Sequence, residues 1–285
     1  MNAGFHTSST GDEVNPEDFA YLQELIYRES LVVIEASKAY LIHCRLSHLA
    51  RVEGFKDITE MVRSLRGNRI NGLHYRVVDA MTTNETYFFR DVHPFEVLRQ
   101  EVLPELIRRR QDSRRLVIWS AACATGQEPY SLAMLIREHF PGLLDWNLRI
   151  LASDLSRRVL GQAREGVYNQ IEINRGLPVA HLIKYFKKES NLWRLRDEIR
   201  RMVEFFECNL SAPFYDVPRA DLILIRNVLI YFDVQDKRKV LGKMRRHMAP
   251  DGVLLMGATE TTLNVDEEFE RVPAPKCSYY RIRQR

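Results

Sequence analysis

A purely helical pattern over the first eighty residues, and short apolar runs alternating with amphipathic segments from Arg115 onward, predict an α/β protein in two parts. The first part is a small all-helical N-terminal domain. The second is a Rossmann-like domain whose strands form a parallel sheet covered by helices, interrupted by a small antiparallel β insertion. A length of 285 residues supports the division, because a single hydrophobic core rarely grows this large.

Residues 1–14 are small and polar and are expected to form a flexible N-terminus. Asn15 then reads as a helix cap, with Pro16 at the first helical position and Asp18 three residues after the cap. Phe19, Leu22, Leu25 and Ile26 follow at helical spacing. A second helix is expected over 35–52 and a third over 57–65, with Gly54 breaking between them. The helical domain is thus assigned to 15–80, and 81–114 to a linker with connecting helices. Within that linker Thr82-Thr83-Asn84-Glu85-Thr86-Tyr87-Phe88-Phe89-Arg90-Asp91 mixes hydroxyls, aromatics and one arginine in a way a core does not need. A helix capped near Thr83 or Asn84 would set Thr86 and Arg90 four apart on one face.

In the second domain, 115–285, strands are expected at 116–119, 148–152, 221–225 and 253–256, and helices at 128–140, 155–163 and 234–247. Leu192, Trp193 and Leu195 interleave with Arg194 and Arg196, which places the antiparallel insertion near 186–205, ahead of a strand at Val203.

Composition excludes several classes. Hydrophobic content of 45% and charged content of 28% suit a globular chain and argue against extensive disorder. A net charge of +4 is too mild to indicate nucleic-acid binding. Cys44, Cys123, Cys208 and Cys277 are scattered without a C-x-x-C pair, so neither a zinc site nor a disulfide framework is indicated. The N-terminus lacks a basic start followed by an apolar run, and no stretch reaches membrane-spanning length. A cytoplasmic protein without direct membrane insertion is expected.

Three positions carry chemistry. After the first strand, Ser120 to Tyr130 is a run of small residues entering a helix, where Gly126 supplies the freedom in φ that a turn beside a ligand needs. Tight strand-to-helix packing would explain the same glycine equally well. The turn has no Gly-Lys-Ser/Thr, so it is not a P-loop. Asp154 ends the second strand, where an acid can bond ribose hydroxyls or cap the next helix. Arg226-Asn227-Val228-Leu229-Ile230-Tyr231-Phe232-Asp233 directly follows a buried strand, at the end where such sheets bind ligands.

Taken in order, Thr82-Thr83-Asn84 with Phe88-Phe89-Arg90, Trp119-Ser120-Ala121-Ala122 with Gly126 and Glu128-Pro129-Tyr130-Ser131, Ala152-Ser153-Asp154, and Arg226-Asn227 with Ile230-Tyr231-Phe232 closely resemble the CheR family of bacterial chemotaxis receptor methyltransferases. The resemblance runs from about Phe19 to Arg281. It implies a class I methyltransferase fold and an S-adenosyl-L-methionine-dependent enzyme, leaving S-adenosyl-L-homocysteine, that forms methyl esters on glutamate side chains in the cytoplasmic helical domain of chemoreceptors. By the same resemblance, cofactor contacts fall on Asn84, Thr86, Arg90, Ala121, Gly126, Glu128, Asp154, Asn209, Leu210, Arg226 and Asn227.

A glutamate carboxylate, with a pKa of about 4.3, is already an anion at neutral pH and needs no general base to attack a methyl group. Positioning is therefore the expected mechanism, with Arg90 and Tyr231 as the catalytic candidates. Lys38, Arg45 and His48 fall on one stripe of the second helix suited to docking an acidic receptor helix, although a solvated face would look the same. Family members that tether to a receptor's C-terminal peptide use a glycine-containing loop in the insertion. Here residues 186–192 are shorter and lack glycine, so tethering by that route is not expected. The alternatives are a methyltransferase acting on RNA or a small molecule, encouraged by Arg108-Arg109-Arg110, and a non-catalytic cofactor-binding scaffold.

Overall fold

Residues 14–214 and 217–284 are described in the structure, a computed structural model, and they fall into two units that divide between Thr83 and Asn84. The flexible terminus expected over 1–14 lies outside the described residues, Val14 excepted.

In the first unit, the Asn15 side chain accepts the Asp18 amide at 2.8 Å and opens α1 (Pro16–Ser30), which buries Leu22, Leu25 and Ile26. α2 (Ala39–Val52) buries Ile42, Leu46 and Ala50, one residue per turn. It starts later than the sequence pattern suggests because residues 36–38 tighten into a 3₁₀ turn. Asp57 caps α3 (Ile58–Gly67), whose Met61, Val62 and Leu65 are buried. A fourth helix, α4 (Gly72–Met81), is not apparent from the sequence. Its signal is a capping box in which the Asn71 and His74 side chains exchange bonds with each other's backbone, and the sequence reading looks for Glu or Gln at the position His74 fills.

The second unit opens with α5 (His93–Val97), a π-helical turn (Leu98–Val102) and α6 (Leu103–Arg109). Pro104, which cannot donate to the turn before it, stands where π geometry gives way to α. These helices lie in the second unit rather than in a separate linker.

The main elements then follow as β1 (Arg115–Ala121), α7 (Gln127–His139), β2 (Asn147–Asp154), α8 (Arg157–Glu165), β3 (Val167–Asn169), α9 (Gln170–Asn174), α10 (Val179–Tyr185), β4 (Phe186–Glu189), β5 (Leu192–Leu195), α11 (Asp197–Arg200), β6 (Val203–Glu207), β7 (Ala220–Ile225), α12 (Val234–Arg246), β8 (Met248–Met256), β9 (Phe269–Ala274) and β10 (Cys277–Ile282). One seven-stranded sheet has the order β6-β2-β1-β7-β8-β10-β9. Its first five strands are parallel, as expected, because each pair is joined by a crossover. β10 runs antiparallel to both of its neighbours, β8 and β9, which corrects the all-parallel expectation. β9 and β10 are a hairpin turning at Lys276, whose φ is 58°, and a hairpin can only return antiparallel. β1 and β7 are buried along almost their whole length, so alternation is invisible in them and only continuous apolar runs remain.

The insertion is a separate three-stranded antiparallel sheet, β3-β5-β4. Its hairpin lies where the Trp193 pattern put it, but its third strand, residues 167–169, lies outside the expected range. Three residues are too few to show a period of two. No helix among the described residues is long and apolar enough to cross a membrane.

Candidate active site

The carboxyl ends of β1, β2 and β7 converge around the point where strand order reverses, between β1 and β7, and crevices at such points bind ligands. Arg226 follows β7 and is almost wholly withdrawn from water. Its Nη1 donates to Glu128 Oε2 at 2.9 Å and its Nη2 to Asp91 Oδ2 at 2.8 Å and the Arg90 carbonyl at 2.9 Å. Glu128, in the first turn of α7, accepts on its other oxygen from Ser120 Oγ of β1 at 2.8 Å. A buried guanidinium between two carboxylates thereby joins the ends of β1 and β7 to the 90–91 segment.

That segment is not a helix. Residues 83–87 run without regular structure and 88–92 coil through turns, with Phe89, Asp91 and Val92 all left-handed at φ 51°, 69° and 52°. The expected one-face pairing of Thr86 with Arg90 is therefore corrected. The cause is anchoring: Phe88 is fully buried, edge-on to Tyr168 at 5.1 Å and Phe186 at 5.6 Å, and the Phe89 amide donates to Ser131 Oγ at 2.9 Å. Burying Phe88 contributes about 2–3 kcal/mol and its ring pairs about 1 kcal/mol each. That suffices to hold three left-handed residues costing about 1 kcal/mol or more apiece. Arg90 Nη1 donates to the Glu85 carbonyl at 2.8 Å, and its guanidinium lies 5.5 Å from the Tyr87 ring centre. Arg175 covers the same ring at 4.5 Å and holds the Glu85 carboxyl below its ordinary range through a 2.5 Å bond.

Asp154 ends β2 and accepts the Ala124 amide at 2.8 Å on one oxygen and the Ser156 amide at 2.9 Å on the other. The cap of α8 is Ser156, not Asp154, because the helix starts at Arg157 rather than Leu155. Asp154 instead fixes the 122–126 loop, in which Ala122, Ala124 and Gly126 are left-handed at φ 55°, 49° and 92°. A Cβ on Gly126 would stand 3.0 Å from Ala163 Cβ and 3.2 Å from a Tyr130 ring carbon, which favours the packing explanation of this glycine over ligand approach. Cys123 in this loop is buried, and burial, with the charges of Asp154 and Glu128, pushes its thiol well above the usual range. It remains a thiol and is no nucleophile.

Asn209 and Leu210 follow β6, where Lys243 of α12 donates to the Leu210 carbonyl and the Cys208 amide donates to the Asp154 carbonyl at 3.0 Å. Asn227 is left-handed at φ 59°, and Tyr231 closes a 3₁₀ turn, half-buried. Ala121 ends β1, fully covered, while Asn84 and Thr86 are half-buried on the irregular stretch. Arg90, Glu128 and Arg226 are thus brought together directly, and Asp154 joins them through the loop it holds. Sequence reading missed Ser120, Asp91 and Ser131, which act through single bonds that leave no pattern.

The docking stripe is corrected. Lys38 lies in the 3₁₀ turn before α2, 3.7 Å from Glu35, and of the three only His48 is both on the helix itself and exposed. Arg45 is half-buried; its Nη1 donates to the Met81 carbonyl at 2.7 Å and its Nη2 to Thr83 Oγ1 at 3.2 Å, closing the end of α4.

Numbered in chain order without the insertion's strands, the sheet reads 3-2-1-4-5-7-6, and with acids at the end of β2 and the start of α7 this defines a class I methyltransferase. The cofactor is S-adenosyl-L-methionine. The chain belongs to the CheR methyltransferases: the family's all-alpha domain matches residues 17–82 and its SAM binding domain residues 84–278. It is 39% identical to chemotaxis protein methyltransferase 1 of Pseudomonas aeruginosa, covering 93% of this chain and 98% of that one. It is 38% identical to chemotaxis protein methyltransferase Cher2 of Pseudomonas putida, over 92% and 95%. It is 34% identical to a chemotaxis protein methyltransferase of Vibrio parahaemolyticus, over 96% and 100%.

The residues present fit the cofactor. Asn227 Oδ1 is buried without a hydrogen-bond partner among the described residues, an acceptor available to a polar ligand in the crevice.

Proposed function

We propose that this protein methylates glutamate side chains in the cytoplasmic helical domain of chemoreceptors, forming methyl esters. The observation that carries this reading is the placement of Arg90, a guanidinium on an over-determined turn whose own carbonyl is bonded to Arg226 at the crevice. A fixed cation beside a methyl-donor site selects an anionic acceptor, and a carboxylate is the acceptor that needs no base. The relatives' names, chemotaxis protein methyltransferases, agree with a role in chemotaxis.

The cofactor supplies an electrophilic methyl group. Glu128, Asp154, Asn209, Leu210, Arg226 and Asn227 hold it, with Asn84, Thr86 and Ala121 shaping the same crevice and Gly126 packing the loop beside it. Arg90 orients the incoming carboxylate and Tyr231 donates a weaker hydrogen bond. The division matters because a guanidinium pair alone would withdraw charge from the attacking oxygen. Lys38 and His48 remain available to a receptor helix, whereas Arg45 serves α4. The β4–β5 turn, Ser190-Asn191, is tight and glycine-free, and no tethering to a receptor tail runs through it.

The test is transfer of labelled methyl from S-adenosyl-L-methionine to receptor signalling domains, followed by alkali. Base-labile label, lost when candidate glutamates become alanine, is expected. Label that survives alkali would exclude the ester.

A further inference from the structure

We propose that Glu260 is a positioning residue for the methyl transfer, a buried carboxylate that holds the 226–231 turn in its working conformation. The inference rests on the reading of Asn227 as a cofactor contact and Tyr231 as an acceptor contact.

The turn after β7 has a structural problem. A short 3₁₀ turn leaves the amides at its entry without partners inside it, only the Tyr231 amide being bonded back to Val228, and Asn227 sits in the left-handed region at φ 59°. Glu260 meets both needs. Its Oε2 accepts from the Asn227 amide at 2.8 Å and the Gly257 amide at 2.7 Å, and its Oε1 from the Val228 amide at 3.0 Å and the Leu229 amide at 2.7 Å. Four backbone N–H groups thus converge on one carboxylate that is 8% exposed. Such convergence orders the amides of Asn227, Val228 and Leu229 in the turn that carries Tyr231.

The carboxylate fits only because residue 257 has no side chain. A Cβ there would stand 2.6 Å from Glu260 Oε2, 2.9 Å from the Asn227 nitrogen and 3.0 Å from Asn227 Nδ2. Gly257 directly follows β8 and Arg226 directly follows β7, adjacent parallel strands, so Gly257 and Glu260 together bolt the ends of two strands around the turn. The Glu260 backbone is itself held by the Gly257 carbonyl at 3.0 Å and the Tyr280 hydroxyl at 3.5 Å. A glutamine at 260 would have the same shape but one acceptor oxygen, and its NH₂ would face N–H donors.

The test is Glu260→Gln, with Glu260→Asp as the variant that keeps the charge, in the full chain. Amide exchange at Asn227, Val228 and Leu229 should accelerate by about 100-fold in Glu260→Gln while the β1 amides change by less than about threefold. Turnover should fall by about 100-fold, receptor-domain KM should change by less than about threefold, and cofactor affinity measured by calorimetry should weaken by about tenfold. Glu260→Asp should recover at least half of the lost exchange protection. Added to Tyr231→Phe, Glu260→Gln should cost less turnover than it does alone, since both act at one place.

Unchanged exchange at 227–229 would overturn the proposal, and so would faster exchange spread evenly over the whole sheet, which would make Glu260 a general stabiliser. Exchange and calorimetry read the turn whatever the acceptor is. A failure of the glutamate-ester reading would therefore leave those two measurements intact.

Discussion

Arg90 owes its position to its neighbours: Phe88 is sunk in the core, Phe89 is tied to Ser131, and Asp91 is paired with Arg226. Because the backbone on both sides is fixed, Arg90→Ala should remove the guanidinium without moving the turn. Turnover is expected to fall by about 100- to 1,000-fold with cofactor affinity within about threefold of wild type, read by steady-state kinetics beside calorimetry. Asp154→Ala should behave in the opposite way. It releases the Ala124 amide and leaves the left-handed alanines of the loop unsupported, so cofactor affinity should drop by about tenfold or more before turnover on saturated enzyme changes. Abolished cofactor binding in Arg90→Ala would move that residue to the cofactor side of the site. At this scale the residue types were readable from sequence and their bonds were not. Asp154 stood out as an acid ending a strand, yet its role in pinning a loop thirty residues earlier needs coordinates.

At the scale of elements, the β1-loop-α7 unit shows how one position can serve packing while its neighbours serve chemistry. Gly126 is left-handed at φ 92° and its missing Cβ makes room for Ala163 of α8 and for Tyr130. Gly126→Ala should therefore destabilise the protein by about 1–3 kcal/mol, combining backbone strain with overpacking, as measured by urea unfolding. An unfolding midpoint equal to wild type would show that α8 can shift to accommodate a methyl group. Long elements with clear caps or continuous apolar runs were legible: α1 from its Asn15-Pro16 entry, and β1 and β7 from four-residue hydrophobic stretches. Short elements such as α9, α11 and β3 were not, because their stability comes from the sheet and core they pack on rather than from local periodicity. The 82–91 segment reads locally as a capped helix and is not one for a related reason, since anchoring of Phe88 outweighs the local helix signal.

Across the second unit as a whole, the end of the sheet away from the crevice is fastened by Arg110. Its Nε donates to Asp221 at 2.7 Å, both its Nη atoms engage Asp251, and Asp221 in turn accepts the Val117 amide at 2.8 Å. Arg109 and Arg110 of the Arg108-Arg109-Arg110 cluster thus have structural partners, closing α6 onto β1, β7 and β8, while Arg108 is exposed. The Arg110 guanidinium holds the Asp251 carboxyl below its ordinary range. A depressed carboxylate contributes stability that is complete above the unfolded value of about 3.9 and is lost as pH falls through the lower folded value. Asp251→Asn should therefore cost about 1 kcal/mol at pH 7, a modest figure because a third of the Asp251 side chain stays in water. That difference from wild type should shrink toward zero in urea unfolding as pH falls below about 3.9 and through the lower folded value. A difference that persists there would assign the contribution to packing.

The sequence by itself determined the class of the fold, the parallel core strands, the first three helices and the family, because each is written in local periodicity, caps or ordered motifs. The tertiary structure alone decided that the sheet ends in an antiparallel hairpin and that Arg45 closes a helix. It also decided that Arg226 lies between Glu128 and Asp91, and that Glu260 gathers four amides. Those facts depend on groups up to 135 residues apart meeting at bonding distance, and no local pattern records a pairing between elements that only the folded core brings together.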